Sequence, residues 1–124
     1  MTMKMQTAEL IGDPLDWAVA KALGPTGEEW NWLKNRQLGY EVSFSRLWER
    51  GGWLLEQCIA DGMLVERVDP QYKNLQKFKA TLDRWESVYR ADTVLVAVCR
   101  CLVAHKLGLE VDIPQEVLAL PQSA

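Results

Sequence analysis

The run Thr93-Val94-Leu95-Val96-Ala97-Val98-Cys99-Arg100-Cys101-Leu102-Val103-Ala104-His105-Lys106-Leu107-Gly108 constrains the fold more than any other part of the chain. Leu95, Val96, Cys99, Leu102 and Val103 recur at helical spacing and form an apolar stripe broad enough for the centre of a core. Asp92 or Thr93 caps its start, Lys106 complements the dipole at its end, and Gly108 terminates it. Arg100 interrupts the apolar run, which is far shorter than the roughly 18–20 residues of a membrane-spanning helix. The run predicts a core helix.

The rest of the chain is punctuated into shorter pieces. Asp13-Pro14-Leu15-Asp16 reads as a helix start, with Asp13 as cap and Pro14 in the first turn. Leu15, Ala18, Val19 and Ala22 then share a face, and Gly24-Pro25 stops the helix, with the glycine in a left-handed turn. Lys4 to Thr7 alternates weakly, as a short strand would. A partial helix is expected near Glu28 to Asn35, and Ser43 to Arg50 reads as irregular. From Gly52, the residues Leu54, Leu55, Cys58 and Ile59 recur at helical spacing up to Asp61-Gly62. Met63-Leu64-Val65 and Phe78, Ala80 and Leu82 show strand spacing, although Leu75, Phe78, Leu82 and Trp85 also fit a helical face. Val111 to Pro114 leads a final turn or helix around Gln115 to Leu118, and Pro121 to Ala124 is expected to fray. The expected fold class is α+β: one domain over residues 1–120, with three to five helices packed on a short antiparallel sheet.

At 124 residues the chain has the size of one domain. Apolar residues at 48% and charged residues at 25% match an ordinary globular protein. The N-terminal MTMKMQTAEL lacks the basic start and apolar middle of a signal peptide, so a cytoplasmic location is expected. Three cysteines, an odd number, then predict reduced thiols. The net charge of −3 offers no general attraction to a polyanion. The patch Tyr72-Lys73-Asn74-Leu75-Gln76-Lys77-Phe78-Lys79 mixes lysines with aromatics, but it is short and lacks arginine, so nucleic acid is not an expected partner.

Catalytic signals are sparse. Cys101 and His105 lie four apart and share a helical face, which makes half a zinc site or a dyad, while Cys99 lies off that face. No CxxC completes the set, and core thiols with an ordinary helical histidine are the expected reading. Glu28, Glu29, Asp61, Glu66 and Asp69 are scattered near turns and read as solvated carboxylates. No catalytic residue, metal or cofactor is expected. An enzyme would have to be built on His105 with Cys101 or a carboxylate.

Leu47-Trp48-Glu49-Arg50-Gly51-Gly52-Trp53-Leu54 is the most suggestive local stretch. Glycines at a helix start let a ligand approach the backbone, and free amides there favour anions. No GxGxxG or GxxxxGK[ST] pattern is present. The simpler reading is a tight turn that lets Trp48 and Trp53 pack into the core. The richer one is a clamp in which the two indoles hold a nucleobase and Arg46 or Arg50 meets a phosphate.

Three blocks together resemble the NinX-like family of small phage and prophage proteins: Leu15 to Lys21 (LDWAVAK), Phe44 to Gly52 (FSRLWERGG), and Ala97 to Gly108 followed by Glu110 to Pro114. The resemblance covers most of the chain. It implies a tryptophan before a Gly-Gly that opens a helix ending in an acidic residue, here Trp48, Gly51, Gly52 and Glu56. It also implies a threonine entering the last long helix and an Arg-Cys within it, here Thr93, Arg100 and Cys101. Trp53 stands where the family has proline, and Gln71 to Tyr89 does not match. The family carries no established activity, and the resemblance implies a phage origin, a host-cytoplasm location and, by analogy, host takeover or counter-defence.

The expected function is therefore non-enzymatic binding of a nucleotide-like small molecule by a homo-oligomer. Its candidate site comprises Trp48, Arg50, Gly51, Gly52, Trp53, Glu56, Thr93 and Arg100. The alternative is an interaction module for a host or phage protein, with Trp30 and Trp32 as anchors.

Overall fold

The computed structural model describes residues 1–24, 28–68, 71, 76–82 and 87–120. Strand β1 (Thr2–Gln6) leads through a 3₁₀ turn (Thr7–Glu9) into helix α1 (Gly12–Leu23), followed by α2 (Glu28–Gln37) and α3 (Trp48–Ala60). Strands β2 (Leu64–Arg67), β3 (Phe78–Leu82) and β4 (Ser87–Ala91) precede the long helix α4 (Val94–Leu107), and β5 (Glu110–Pro114) and α5 (Gln115–Leu118) follow it. Among the described residues the fold is α+β, with two small antiparallel sheets where the sequence suggests one.

One sheet pairs β1 with β5, setting Met3 opposite Ile113 and Met5 opposite Val111. The other has the order β2-β3-β4, with Val65, Ala80 and Tyr89 in register across it. In β5 the alternation is plain: Val111 and Ile113 are buried while Glu110 and Asp112 are exposed, the pattern of a strand with one face on a core.

Helix α4 is the centre. It packs against β3 and β4, against α1 and against α3. Every residue from Leu95 to Val103 is buried, so the helix is covered all round for more than two turns and not along one stripe only. Thr93 caps it by accepting a hydrogen bond from the Val96 amide at 3.2 Å, and Gly108 ends it at φ +100°. There the glycine adopts a conformation that a side chain disfavours.

Several local expectations need correction. Helix α1 begins without a side-chain cap: Ile11 is the N-cap residue, and Asp13, in the first turn, points inward and is buried. Gly24 is extended at φ −129° and not left-handed, while Pro25 lies outside the described residues. Helix α3 starts at Trp48, a full turn before Gly52, and Val111 to Pro114 is a strand. The segment Phe78–Leu82 is a strand, as its alternation suggests. Tyr72, Lys73, Asp69, Trp85 and the C-terminal Pro121 to Ala124 lie outside the described residues.

Candidate functional site

Among the described residues, a dense polar constellation joins the start of α1 to the segment that enters α3. Asp16 lies in the second turn of α1 and is fully buried. Its carboxylate accepts hydrogen bonds from the Ser43 hydroxyl at 2.7 Å, the Phe44 amide at 3.0 Å and the Ser45 amide at 2.9 Å. One side chain thus satisfies two main-chain donors of an irregular segment that has no sheet or helix to satisfy them. Burial pushes the Asp16 carboxyl above the usual carboxylate range, and the hydrogen bonds from Ser43, Ser45 and Phe44 pull it the other way.

Asp13, one turn earlier, is held from both sides. Arg36 of α2 forms a two-pronged pair with it, Nε to Oδ1 and Nη2 to Oδ2, each 3.1 Å. Both partners are buried. Hydrogen bonding to Asp13 holds the Arg36 guanidinium above its ordinary pKa. Arg46 Nη2 lies 3.5 Å from Asp13 and 4.0 Å from Asp16. The Trp32 indole N–H donates to the Val42 carbonyl at 2.8 Å. Residues 42–46 are therefore lashed to α1 and α2 at three places.

That anchoring builds one wall of a cleft of about 300 Å³ between the end of α1, α2 and the first turn of α3. Val42, Phe44 and Trp32 line it with apolar surface, and Asn31, Asn35, Glu28 and Arg50 supply the polar groups. Asn31 and Asn35 lie one helical turn apart and so face the same way. Among the described residues, the side chains of these four polar residues have no hydrogen-bond or ion-pair partner. A second cleft of about 280 Å³, beside Asp13 and Arg46, differs because its charged groups already pair with each other.

The residues named from sequence are spread around this frame. Arg50 lines the cleft. Trp48 and Trp53 are 61% and 54% exposed, on the outward side of α3 with exposed Glu56, so packing into the core is not what they do. Gly51 is buried inside the helix, and its amide donates to the Leu47 carbonyl at 2.9 Å, leaving no free donor for an anion. A Cβ there would overlap the Phe44 carbonyl oxygen and come within 2.7 Å of Leu95 Cδ1, so the glycine serves a close crossing of backbones. At Gly52 the nearest atom, Trp48 Cε3, is an ordinary 3.5 Å away.

Thr93 is committed to capping α4, and Arg100 is buried, with Nε on the Leu10 carbonyl and Nη1 on the Arg90 carbonyl, both at 2.8 Å. Burial lowers the pKa of Arg100 below the ordinary arginine value. Thus Trp48, Arg50, the glycine amides and Arg100 do not converge on one pocket. Of the proposed protein-binding anchors, Trp30 is 51% exposed and Trp32 is buried. Cys58, Cys99 and Cys101 are buried and unbridged, and burial raises the Cys58 thiol to about 11 and the Cys99 thiol well above its ordinary value. His105 is exposed on α4 while Cys101 is fully buried. Among the described residues, no three His, Cys, Asp or Glu side chains cluster as a metal site requires.

Sequence reasoning missed Asp13, Asp16, Arg36 and Ser43 as a network, and Asn31, Asn35 and Phe44 as lining. The available hint was a pair of aspartates three apart within an otherwise apolar helix stretch. Comparison with protein-family models matched none of them, and comparison with curated protein sequences found no significant match. No helix among the described residues is long and apolar enough to cross a membrane.

Proposed function

We propose that this chain is a non-enzymatic binding protein that takes a nucleotide-like small molecule into the α1–α2–α3 cleft. The observation that carries the reading is the composition of that cleft: a cation, Arg50, and two carboxamides, Asn31 and Asn35, over the apolar surface of Trp32, Val42 and Phe44. Arg50 meets an anionic group and the carboxamides, each both donor and acceptor, read the polar edge of a base. A volume of about 300 Å³ is at the small end of ligand sites, which suits one nucleotide unit.

Among the described lining residues none carries a hydroxyl, thiol or imidazole, and Glu28 and Arg50 are the titratable ones. The proposal is capture without turnover, with Glu28 and Arg50 as binding contacts. The blocks that resemble the NinX-like family support a phage or prophage setting, in which sequestering a nucleotide-like molecule in the host cytoplasm serves takeover or counter-defence.

Thermal unfolding in the presence of mono-, di- and cyclic nucleotides tests this. A ligand at about 100 times its Kd stabilises by about 2.7 kcal/mol. Stabilisation by at least one nucleotide, reduced at least tenfold in affinity by Arg50→Ala, is the expected result. No stabilisation by any member of the panel contradicts the reading.

A further inference from the structure

The outward face of α3 is not used by the cleft. Its inward side is Gly51, Leu54 and Cys58, all buried. On the outward side, Glu49 and Glu56 are both exposed and seven residues apart, so they share one stripe along the helix. Trp48 and Ile59 run along one flank of that stripe, 61% and 52% exposed, and Trp53 stands on the other at 54%. Among the described residues, neither carboxylate has an ion-pair partner. The Trp48 indole lies over Gly52, with Cε3 3.5 Å from where a Cβ would be.

We infer that this face docks a basic amphipathic helix of another protein. Apolar side chains on both sides of its basic stripe meet the two apolar flanks, helix against helix, and the carboxylate stripe between them takes its lysines or arginines. The exposed indoles add cation–π contacts and are the residue type most enriched at binding hot spots. A second copy of α3 fits poorly. With the carboxylates on the midline, parallel pairing sets each against itself, and antiparallel pairing sets Glu49 against Glu56, like charges in both cases. An anionic lipid surface is repelled by the same stripe. Arg50 lines the cleft, off the carboxylate stripe, so this inference stands independently of what the cleft binds.

The test uses the full chain and an amidated peptide of about 18 residues, or five helical turns, with lysine along one stripe at the i, i+3, i+4 and i+7 positions, leucine on both flanks of that stripe and glutamine on the far side. A control peptide carries glutamate in place of lysine. Binding is read from the indole emission of the protein, since neither peptide has an aromatic residue. The lysine peptide is expected to bind more tightly than the control. Glu49→Lys with Glu56→Lys is expected to shift that preference by about tenfold toward the control, and Trp53→Ser to weaken binding of the lysine peptide. All the substituted positions are exposed, and circular dichroism confirms folding of each variant. Absence of binding up to about 1 mM peptide overturns the inference. So does equal binding of the two peptides, or a preference that the charge reversal leaves unchanged. Self-association of the protein that Trp48→Ser and Trp53→Ser abolish also overturns it, by making a second copy the occupant.

Discussion

Gly51 in α3 and Leu95 in α4 touch so closely that a Cβ on residue 51 would lie 2.7 Å from Leu95 Cδ1 and 2.9 Å from Cδ2. The same Cβ would overlap the Phe44 carbonyl oxygen, which belongs to main chain held by Asp16 and has little room to move. The contact sets how near the first turn of α3 comes to the core helix, and with it the position of Arg50 one residue earlier. Gly51→Ala is expected to destabilise the protein by about 1–3 kcal/mol through overpacking. Gly52→Ala, with no atom nearer than 3.5 Å, is expected to stabilise it by about 0.5–1 kcal/mol through helix propensity. Urea unfolding of the two variants checks both signs.

Asp16 gives a pH dependence of definite sign. Its folded pKa is raised, chiefly by burial, so the native state holds the proton more tightly than the unfolded chain. The stability it contributes is complete below about pH 4, the unfolded carboxylate range, and is lost as pH rises through the folded value. Asp16→Asn removes this titration and keeps a carbonyl acceptor for the main-chain amides. Measured by urea unfolding from about pH 4 to about pH 7, wild type is expected to lose stability relative to Asp16→Asn. A constant difference contradicts the assignment. Asp16→Ala, which strands the amides of Phe44 and Ser45, is expected to cost about 2–4 kcal/mol.

The Arg36–Asp13 pair is buried on both sides and doubly hydrogen-bonded, so removing one partner leaves a charge without water. Arg36→Ala is expected to destabilise by about 3 kcal/mol, near the low end for a broken buried pair because Arg46 still approaches Asp13. Arg36→Lys is expected to recover less than half of that loss, since an ammonium cannot reproduce the two-pronged geometry. Equilibrium unfolding of both variants is the check.

The three thiols are buried, and burial raises Cys58 to about 11 and Cys99 well above its ordinary value, so little thiolate exists at neutral pH. Native protein is expected to resist a thiol reagent near pH 8, and denatured protein to react at all three cysteines. Rapid labelling of the native chain would contradict the described packing.

Much of this architecture is legible from residue spacing. The stripe from Leu95 to Val103 marks the central helix, and the cap at Thr93 and the stop at Gly108 fall where the residue types suggest. The outward position of Trp48 and Trp53 was readable as well: Gly51, Leu54 and Cys58 share one side of a helical wheel, and neither indole falls on it. What misled was starting the helix at the glycines, which read as breakers yet lie within the first turns of α3. Strand β5 announces itself only as Val111-Asp112-Ile113, a fragment too short to separate from a turn without its partner β1, more than a hundred residues away.

The anchoring network was beyond any local pattern. Asp16 meets Ser43, Phe44 and Ser45 from 27 to 29 residues away, and Asp13 meets Arg36 across two helices. An aspartate in an early helical turn has a sufficient local explanation in the helix dipole, so nothing in spacing asks for another. The cleft inherits this, because Asn31, Asn35 and Arg50 become neighbours only once the segment between α2 and α3 is tied down.

The central claim is that the α1–α2–α3 cleft holds a nucleotide-like molecule, and the most direct measurement is a nucleotide titration followed by nuclear magnetic resonance of the side-chain N–H groups. Binding as described moves the carboxamide signals of Asn31 and Asn35 and the Nε–H signal of Arg50, leaves the indole signals of Trp48 and Trp53 in place, and vanishes in Arg50→Ala. A spectrum unchanged by every nucleotide, or shifts that bypass these three side chains, contradicts it.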